Sequence, residues 1–240
     1  MTHTAENEFD LINELLPYGI CITQKQATAL LYHLDLVIAK NKYINLTRIN
    51  DLQSGITKHI VDSLIILPSL FPYLNSECNF IDIGTGAGYP GIPIAIATNW
   101  NGILVDSVTK KVTAVKEFVN ELNLSGVTVS NSRIEEYSAK NRNKFDLAIA
   151  RALADIAVIM EYSSPLLKIG GYLALTKGNP TDIELNNADK VSSICGFNLV
   201  SRETYLLPNN CGTRNIFVYK KYRNASINLP RHIGFAKNKP

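Results

Sequence analysis

The stretch NFIDIGTGAGYPGIP, residues 79–93, decides the fold class of this 240-residue chain. Its first five residues predict a short buried strand, and the glycine-rich run that follows predicts a tight turn into a helix. Glycine allows the backbone to turn sharply and to approach a ligand closely. Because ligands of open α/β sheets bind beyond the carboxyl ends of the strands, we expect a ligand site at this turn.

Short apolar runs alternate with helix-length segments after this turn. Such alternation predicts right-handed crossovers and a mostly parallel, doubly wound α/β sheet. The last two runs are separated only by PNNCGTR, which is too short for a crossover helix, so we expect them to pair as an antiparallel hairpin. The seven candidate strands are 79–83, 103–106, 127–130, 145–150, 172–176, 197–205 and 215–220, with helices at 90–98, 110–122, 152–167 and 180–194.

The chain before the turn is helical by its periodicity. Thr23 and Gln26 have capping-box spacing, and apolar residues then recur on one helical face. Another helix is expected from about Lys58 to Leu67, where prolines end it. We therefore divide the chain into a helical N-terminal extension (1–75), a cofactor-binding α/β domain (76–220) and a basic C-terminal tail (221–240).

Positive charge is concentrated near the C-terminal end. The net charge is +3, no Asp or Glu follows Glu203, and Lys or Arg stands at 214, 220, 221, 223, 231, 237 and 239. Localised positive charge attracts polyanions such as RNA. Charge alone leaves two interpretations open, a contact between the tail and RNA phosphates or a solubilising tail.

Two classes of cofactor compete for the glycine turn. A dinucleotide turn has the pattern G-x-G-x-x-G, but the third position after Gly84 and Gly86 is Tyr89. Pro90 and Pro93 also remove N–H donors from the first helical turn, where a pyrophosphate would bind. S-adenosylmethionine has no phosphate and loses nothing by this. Together with the terminal hairpin, which methyltransferase sheets of this kind have, the turn favours S-adenosylmethionine over NAD.

Two carboxylates belong to the same region. Asp82 lies in the first strand, and Asp106 ends the second strand, as a residue that binds a ribose diol would. We therefore assign Asp82, Gly84, Gly86 and Asp106 to the cofactor site. For Asp106, a helix cap or a surface acid is the alternative.

Cationic side chains lie at or near several strand ends. Arg133, Arg151 and Lys177 are expected at one rim of the sheet, and Arg214 lies near the start of the last strand. We expect these residues to form a phosphate-binding surface around the cofactor, and we assign Arg133, Arg151 and Arg214 to catalysis. The alternative for each is a solvated loop charge.

The residue types at this rim limit which atom can accept the methyl group. Transfer from a sulfonium is an in-line displacement that mainly requires positioning. A carbon acceptor would need an attacking cysteine, and none follows the fourth or fifth strand. Guanine N7 carries an in-plane lone pair and needs no general base, so a site with arginine and no base is compatible with it. His59 and Asp62 share one helical face and are interpreted as a hydrogen-bonded pair near the substrate or as a structural pair.

Nine short runs resemble a known family, namely YINLT (43–47), KHIVDSL (58–64), IDIGTGAGYPGIP (81–93), DS (106–107), KKV (110–112), SRIEE (132–136), ARA (150–152), LTKG (175–178) and GTR (212–214). In order and spacing they resemble the bacterial small-subunit ribosomal RNA guanine-N7 methyltransferases, or glucose-inhibited division protein B family. The resemblance implies a Rossmann-like class I methyltransferase fold and methylation of N7 of a guanine in 16S ribosomal RNA. It also implies S-adenosyl-L-methionine contacts at Gly84, Tyr89, Ile134, Glu135, Arg151 and Asp106.

The remaining features limit the function classes. Hydrophobic residues make up 46% and charged residues 19%, as in globular proteins, and four scattered cysteines predict no metal site. The polar, acidic start does not have the pattern expected of a signal peptide, and no apolar run has the length expected of a membrane span. We expect a cytoplasmic monomer whose partner is 16S ribosomal RNA or the small ribosomal subunit. A methyltransferase of another RNA or a protein, an NAD-dependent oxidoreductase and a non-catalytic RNA-binding module are the alternatives.

Overall fold

The computed structural model describes residues 3–238 and contains a seven-stranded sheet with the order β3-β2-β1-β4-β5-β7-β6. The first five strands are parallel, and β7 is antiparallel to both β5 and β6. The predicted fold class is therefore confirmed, with the strand order reversing between β1 and β4. The strands are β1 Asn79–Ile83, β2 Asn101–Asp106, β3 Val127–Asn131, β4 Phe145–Arg151, β5 Leu167–Lys177, β6 Phe197–Leu206 and β7 Thr213–Lys221.

Successive side chains of the strands point to opposite faces of the sheet, and each face packs in its own hydrophobic core. Phe80 of β1 and Leu147 of β4 lie in one core, while Ile81 and Ala148 lie in the other. Both faces of the sheet are thus covered, as parallel sheets require. The helices between the strands are α5 Gly91–Thr98, α6 Thr109–Glu121, α7 Ile134–Lys140, α8 Ile156–Ser163 and α9 Asp182–Cys195.

The predicted helix at 152–167 is shorter in the structure, and α7 was not predicted. Residues 152–155 form a loop at the end of β4, where Ala152 has a φ of 49° in the left-handed region. The helix therefore begins only after Asp155, which has extended backbone at the N-cap position. The seven residues of α7 give too short an apolar repeat to detect by periodicity.

The N-terminal extension packs on one face of the sheet. It contains α1 Ala5–Leu15, a 3₁₀ turn, α2 Gln24–Asn41 and a continuous helix made of α3 Leu52–Gly55, a π-helical segment Ile56–Val61 and α4 Asp62–Leu64. The predicted capping box is present, with reciprocal hydrogen bonds between Thr23 and Gln26. Leu30 and Ile60 join the same core as Phe80, so the extension shares its hydrophobic core with the sheet. Of the helices in the described range, none is long and apolar enough to cross a membrane.

Part of the basic C-terminal segment packs against the α/β domain. Lys221 is the last residue of β7, is buried, and donates hydrogen bonds to the carbonyl oxygens of Ser164 and Leu167 at 2.7 Å each. Arg231 forms an ion pair with Glu161. A short helix, α10 Phe235–Asn238, follows. The Lys221 and Arg231 side chains are therefore both engaged by partners within the fold; Lys239 lies outside the described residues.

Candidate active site

The glycine turn between β1 and α5 is shaped by two different requirements. Gly86 has a φ of 61°, in the left-handed region where a side chain would strain the backbone. Gly91, at the start of α5, has an ordinary φ, but a Cβ there would lie 2.2 Å from the side chain of Leu104 and 2.7 Å from that of Asp82. Gly86 thus permits the turn, and Gly91 permits close packing of the helix on the sheet.

The two predicted carboxylates have different positions. One oxygen of Asp106 accepts a hydrogen bond from the Gly86 N–H at 3.0 Å, and the other accepts from the Val108 N–H at 2.8 Å. Asp106 therefore lies beside the turn and lines a cavity. Asp82 is fully buried beneath the turn and accepts from the Gly91 N–H at 2.9 Å. Burial raises the pKa of Asp82 to about 6.

Two cavities meet at Gly84. A cleft of about 560 Å³ lies toward the N-terminal extension, and a cavity of about 130 Å³ lies toward β2 and α7. The side chain of Leu153 lines the small cavity and packs on Gly84, where a Cβ would come within 2.7 Å of it. The predicted cofactor residues divide between the two, with Asp106, Ile134 and Glu135 in the small cavity and Gly86, Tyr89 and Arg151 in the large cleft.

Asp62 joins two arginines from opposite parts of the chain in the large cleft. Its Oδ2 accepts from Arg151 at 3.1 Å, and its Oδ1 accepts from the Nε of Arg214 at 2.7 Å. Arg151 also donates to the carbonyl oxygen of Lys58 at 2.9 Å. Only 7% of the Asp62 side chain is exposed, so the carboxylate is weakly screened and orients both guanidinium groups. The extension is thereby tied to the ends of β4 and β7.

An aromatic stack lies next to these arginines. The rings of His59 and Tyr89 are parallel within 7°, with centroids 4.4 Å apart, and the Arg151 guanidinium lies 5.6 Å from the Tyr89 centroid. The His59 ring also forms a 3.0 Å hydrogen bond with the hydroxyl of Thr47. Burial, with the charge of Arg151, lowers the pKa of His59 to about 3, so this ring is neutral at physiological pH. His59 and Asp62 thus both contact Arg151 instead of forming the expected pair with each other.

The expected surface of four cations is only partly assembled. Arg151, Lys177 and Arg214 line the large cleft, but Arg133 is at the small cavity. Lys177 forms a 2.7 Å ion pair with Glu184 and donates to the carbonyl oxygen of Ala154. The cleft therefore offers the two guanidinium groups that share Asp62, while Arg133 lies apart from them at the small cavity.

The side chains that surround Glu135 were not predicted from the sequence. This carboxylate is 8% exposed and accepts hydrogen bonds from the Tyr162 hydroxyl at 3.3 Å and from the Gly234 N–H at 3.1 Å. Tyr162 and Gly234 both line the small cavity. No local pattern indicates these contacts, because they join residues 27 and 99 positions apart.

Comparison with solved structures identifies the fold. M. jannaschii TYW2 in complex with AdoMet superposes with a TM-score of 0.51 at 14% identity, over 66% of this chain and 74% of that one. A putative sarcosine dimethylglycine methyltransferase from Galdieria sulphuraria gives a TM-score of 0.53 at 12% identity, over 71% and 88%. At such low identity these similarities establish the Rossmann-like methyltransferase fold alone.

Comparison of sequences identifies the family. "Ribosomal RNA small subunit methyltransferase G" of Carboxydothermus hydrogenoformans is 36% identical over 93% of this chain and 95% of its own length. The protein of the same name from Alkaliphilus metalliredigens is 34% identical over 92% and 93%. The model of the GidB family, described as rRNA small subunit methyltransferase G, matches residues 26–210. With most of its length matched in this way, the chain belongs to the GidB family of methyltransferases.

Proposed function

We propose that this protein transfers a methyl group from S-adenosyl-L-methionine to N7 of a guanine in small-subunit (16S) ribosomal RNA. The observation that carries the proposal is the position of the Arg151–Asp62–Arg214 cluster, in a cleft that adjoins the glycine turn at Gly84. A cofactor site and a cationic acceptor site thus share one boundary, as a transfer between two bound molecules requires.

The small cavity has the chemistry that the adenosine end of the cofactor needs. Asp106 supplies a carboxylate at the end of β2, and a carboxylate can accept both hydroxyl groups of a ribose. Glu135 and Ile134, at the start of α7, are proposed to bind the adenine. Gly84 and Gly86 are proposed to lie along the methionine part, which leads toward Arg151.

The same turn is poorly suited to a dinucleotide. The Gly86 N–H already donates to the carboxylate of Asp106, whose negative charge would repel a pyrophosphate. Pro90 provides no N–H at the N-cap of α5, and Pro93 provides none in its first turn. An oxidoreductase that uses NAD is therefore the weaker alternative.

The large cleft is proposed to hold the acceptor base. When bound, the cofactor supplies an electrophilic methyl group, so a guanine N7 with its in-plane lone pair needs positioning and no proton removal. Arg151 and Arg214 donate hydrogen bonds and carry positive charge, so they can hold the base and a neighbouring phosphate. His59, neutral and stacked on Tyr89, gives this wall an aromatic surface.

The N-terminal extension is proposed to form the substrate side of the enzyme. Leu46, Thr47 and Lys58 of the extension line the cleft, opposite the ends of β4 and β5. The proposed partner is 16S ribosomal RNA, naked or within the small ribosomal subunit, and the proposed location is therefore the cytoplasm. A monomer that needs no metal remains our expectation.

Binding of S-adenosylmethionine and of NADH to the intact protein tests the cofactor assignment. We expect titration calorimetry to show one site for S-adenosylmethionine and no measurable heat with NADH, because Asp106 engages the Gly86 N–H and neither Pro90 nor Pro93 has an N–H to offer a pyrophosphate. S-adenosylhomocysteine, which keeps the adenosine and lacks the methyl group, should compete. Binding of NADH in preference to S-adenosylmethionine would contradict the proposal.

A further inference from the structure

The chain returns to the α/β domain after β7. Leu229 and Ala236 are 3% and 1% exposed and belong to the core that contains α8 and α9. The guanidinium of Arg142 donates to the carbonyl oxygen of Leu229. This part of the chain, residues 229–236, is called the C-terminal strap below. The domain therefore engages two apolar side chains of the strap, those of Leu229 and Ala236, and the backbone at Leu229.

An ion pair between the half-buried Arg231 and the buried Glu161 fixes the strap on α8. Glu161 is 4% exposed, and its carboxylate accepts hydrogen bonds from the Arg231 N–H at 3.0 Å and from the Arg231 Nε at 2.8 Å. The Nη2 of Arg231 donates to the same carboxylate. These three hydrogen bonds to a carboxylate hold both the backbone and the side chain of Arg231 in place.

The strap then reaches the small cavity. The Gly234 N–H donates to Glu135 at 3.1 Å, and Gly234 itself lines the cavity together with Asp106 and Ile134. Tyr162, which follows Glu161 on α8, donates to the same oxygen of Glu135. The residue proposed to bind adenine is therefore held between α8 and the strap.

We propose that the C-terminal strap is the outer wall of the adenosine pocket, and that strap docking and adenosine binding stabilise each other. This inference rests on the proposed function, because it requires the adenosine end of the cofactor to occupy the small cavity. Arg231 and Gly234 are positioning residues here, acting through Glu161 and Glu135. Coupling between two such events is reciprocal, so a ligand that favours the docked strap must bind less tightly when the strap is weakened.

This role differs from an RNA contact made by a basic tail. The Arg231 guanidinium is committed to Glu161, and the Lys221 ammonium to backbone carbonyl oxygens. In an RNA-binding tail, substitution of Arg231 would lower the affinity for RNA and its salt dependence, and leave cofactor affinity unchanged. Measurement of both affinities separates the two roles.

Hydrogen exchange of the intact protein tests the coupling without any substitution. We expect S-adenosylmethionine and 5′-methylthioadenosine, which share the adenosine end, to slow exchange at least about fivefold in a peptide that covers 229–236. Methionine alone should have no effect there. A peptide from the exposed region of β6 serves as the reference. If S-adenosylmethionine binds and exchange in the strap is unchanged, the inference fails while the proposed function stands.

A pair of substitutions tests the coupling from the other side. Arg231→Met should raise the dissociation constant for S-adenosylmethionine at least about fivefold, with an unchanged rate of transfer at saturating cofactor and RNA. Arg231→Lys, which keeps a charge near Glu161, should recover part of the affinity. The matched control is Arg223→Met, because Arg223 contacts backbone oxygens at Ser193 and Asn224, away from the small cavity.

The outcomes are distinct. Equal cofactor affinity in Arg231→Met and the intact protein, with both folded by circular dichroism, would overturn the inference. So would an equal loss in Arg223→Met, because it would indicate a general effect on stability. Failure of the intact protein to bind S-adenosylmethionine at all would instead overturn the proposed function.

Discussion

Replacement of Arg151 by Met should slow methyl transfer by about 100-fold or more, the size of effect seen when one preorganised charged or polar donor is removed from an active site. The guanidinium lies in the large cleft beside Asp62 and over Tyr89, at the end of the central strand β4. Methionine preserves the apolar stem but removes the charge and its donors. Asp62 remains paired with Arg214, so the fold should tolerate the change.

A single-turnover assay with saturating cofactor and small-subunit RNA measures this step directly. The affinity for S-adenosylmethionine should fall by a smaller factor than the rate of methyl transfer, because Asp106, Glu135 and the glycine turn are still there to bind the cofactor. Arg202→Met is the matched control. Arg202 lies in β6, the edge strand of the sheet, where its guanidinium is 5.2 Å from the centroid of the Phe217 ring. A near-normal rate in Arg151→Met would mean that Arg151 does not hold the acceptor.

Replacement of Gly86 by Val should abolish measurable binding of S-adenosylmethionine while leaving the fold intact. The φ of 61° is strongly unfavourable for a β-branched residue, with a cost of about 1–3 kcal/mol, so the turn should rearrange. Rearrangement would remove the hydrogen bond from Gly86 to Asp106 and displace both groups from the cofactor. Because a Cβ at residue 86 has no neighbour closer than 4.0 Å, a core clash is not expected.

Gly170→Val is the control for backbone strain. Gly170 has a φ of 88°, and a Cβ added there would have no atom within 4 Å, but the residue is exposed in β5, away from both cavities. Calorimetry with S-adenosylmethionine should therefore give the affinity of the intact protein for this variant. Equal affinity in Gly86→Val and the intact protein would remove the glycine turn from the cofactor site.

The sheet was predictable from the sequence because each strand has a pattern within its own few residues. All seven strands were predicted, since buried parallel strands appear as short apolar runs between turn residues. Strand ends were less accurate, as in β5, which begins at Leu167 and passes through Gly170 before the apolar run starts. The start of α8 depends on the loop after Arg151, whose conformation no periodic pattern encodes, and α7 is too short to show a period of its own.

The candidate site was predictable only as separate residues. Arg151 and Arg214 were each selected by their positions next to strands, but their common partner Asp62 lies 89 and 152 residues away in the chain. The position of Arg133 at the small cavity depends on α7, a helix that was not predicted. Such pairings are set by tertiary packing, so the sequence pattern alone could not assign them.

The docking of the C-terminal strap on the domain was not predictable from the sequence, because the clearest pattern in this segment is its positive charge. Leu229 and Ala236 are too few and too irregular to show a helical or strand period. One signal was present elsewhere, because Glu161 interrupts the apolar helix α8, IAVIMEYS. A buried acid requires a partner, and Arg231 is that partner in the structure.

Nucleoside analysis of the methylated RNA is the most direct test of the proposed function. Small ribosomal subunits and naked 16S ribosomal RNA that lack the modification would be incubated with the protein and methyl-labelled S-adenosylmethionine, digested to nucleosides and separated by mass spectrometry. We predict label in N7-methylguanosine with the intact protein, and about 100-fold less in the same time with Arg151→Met. Label in any other nucleoside, or no label in either RNA, would contradict the proposal.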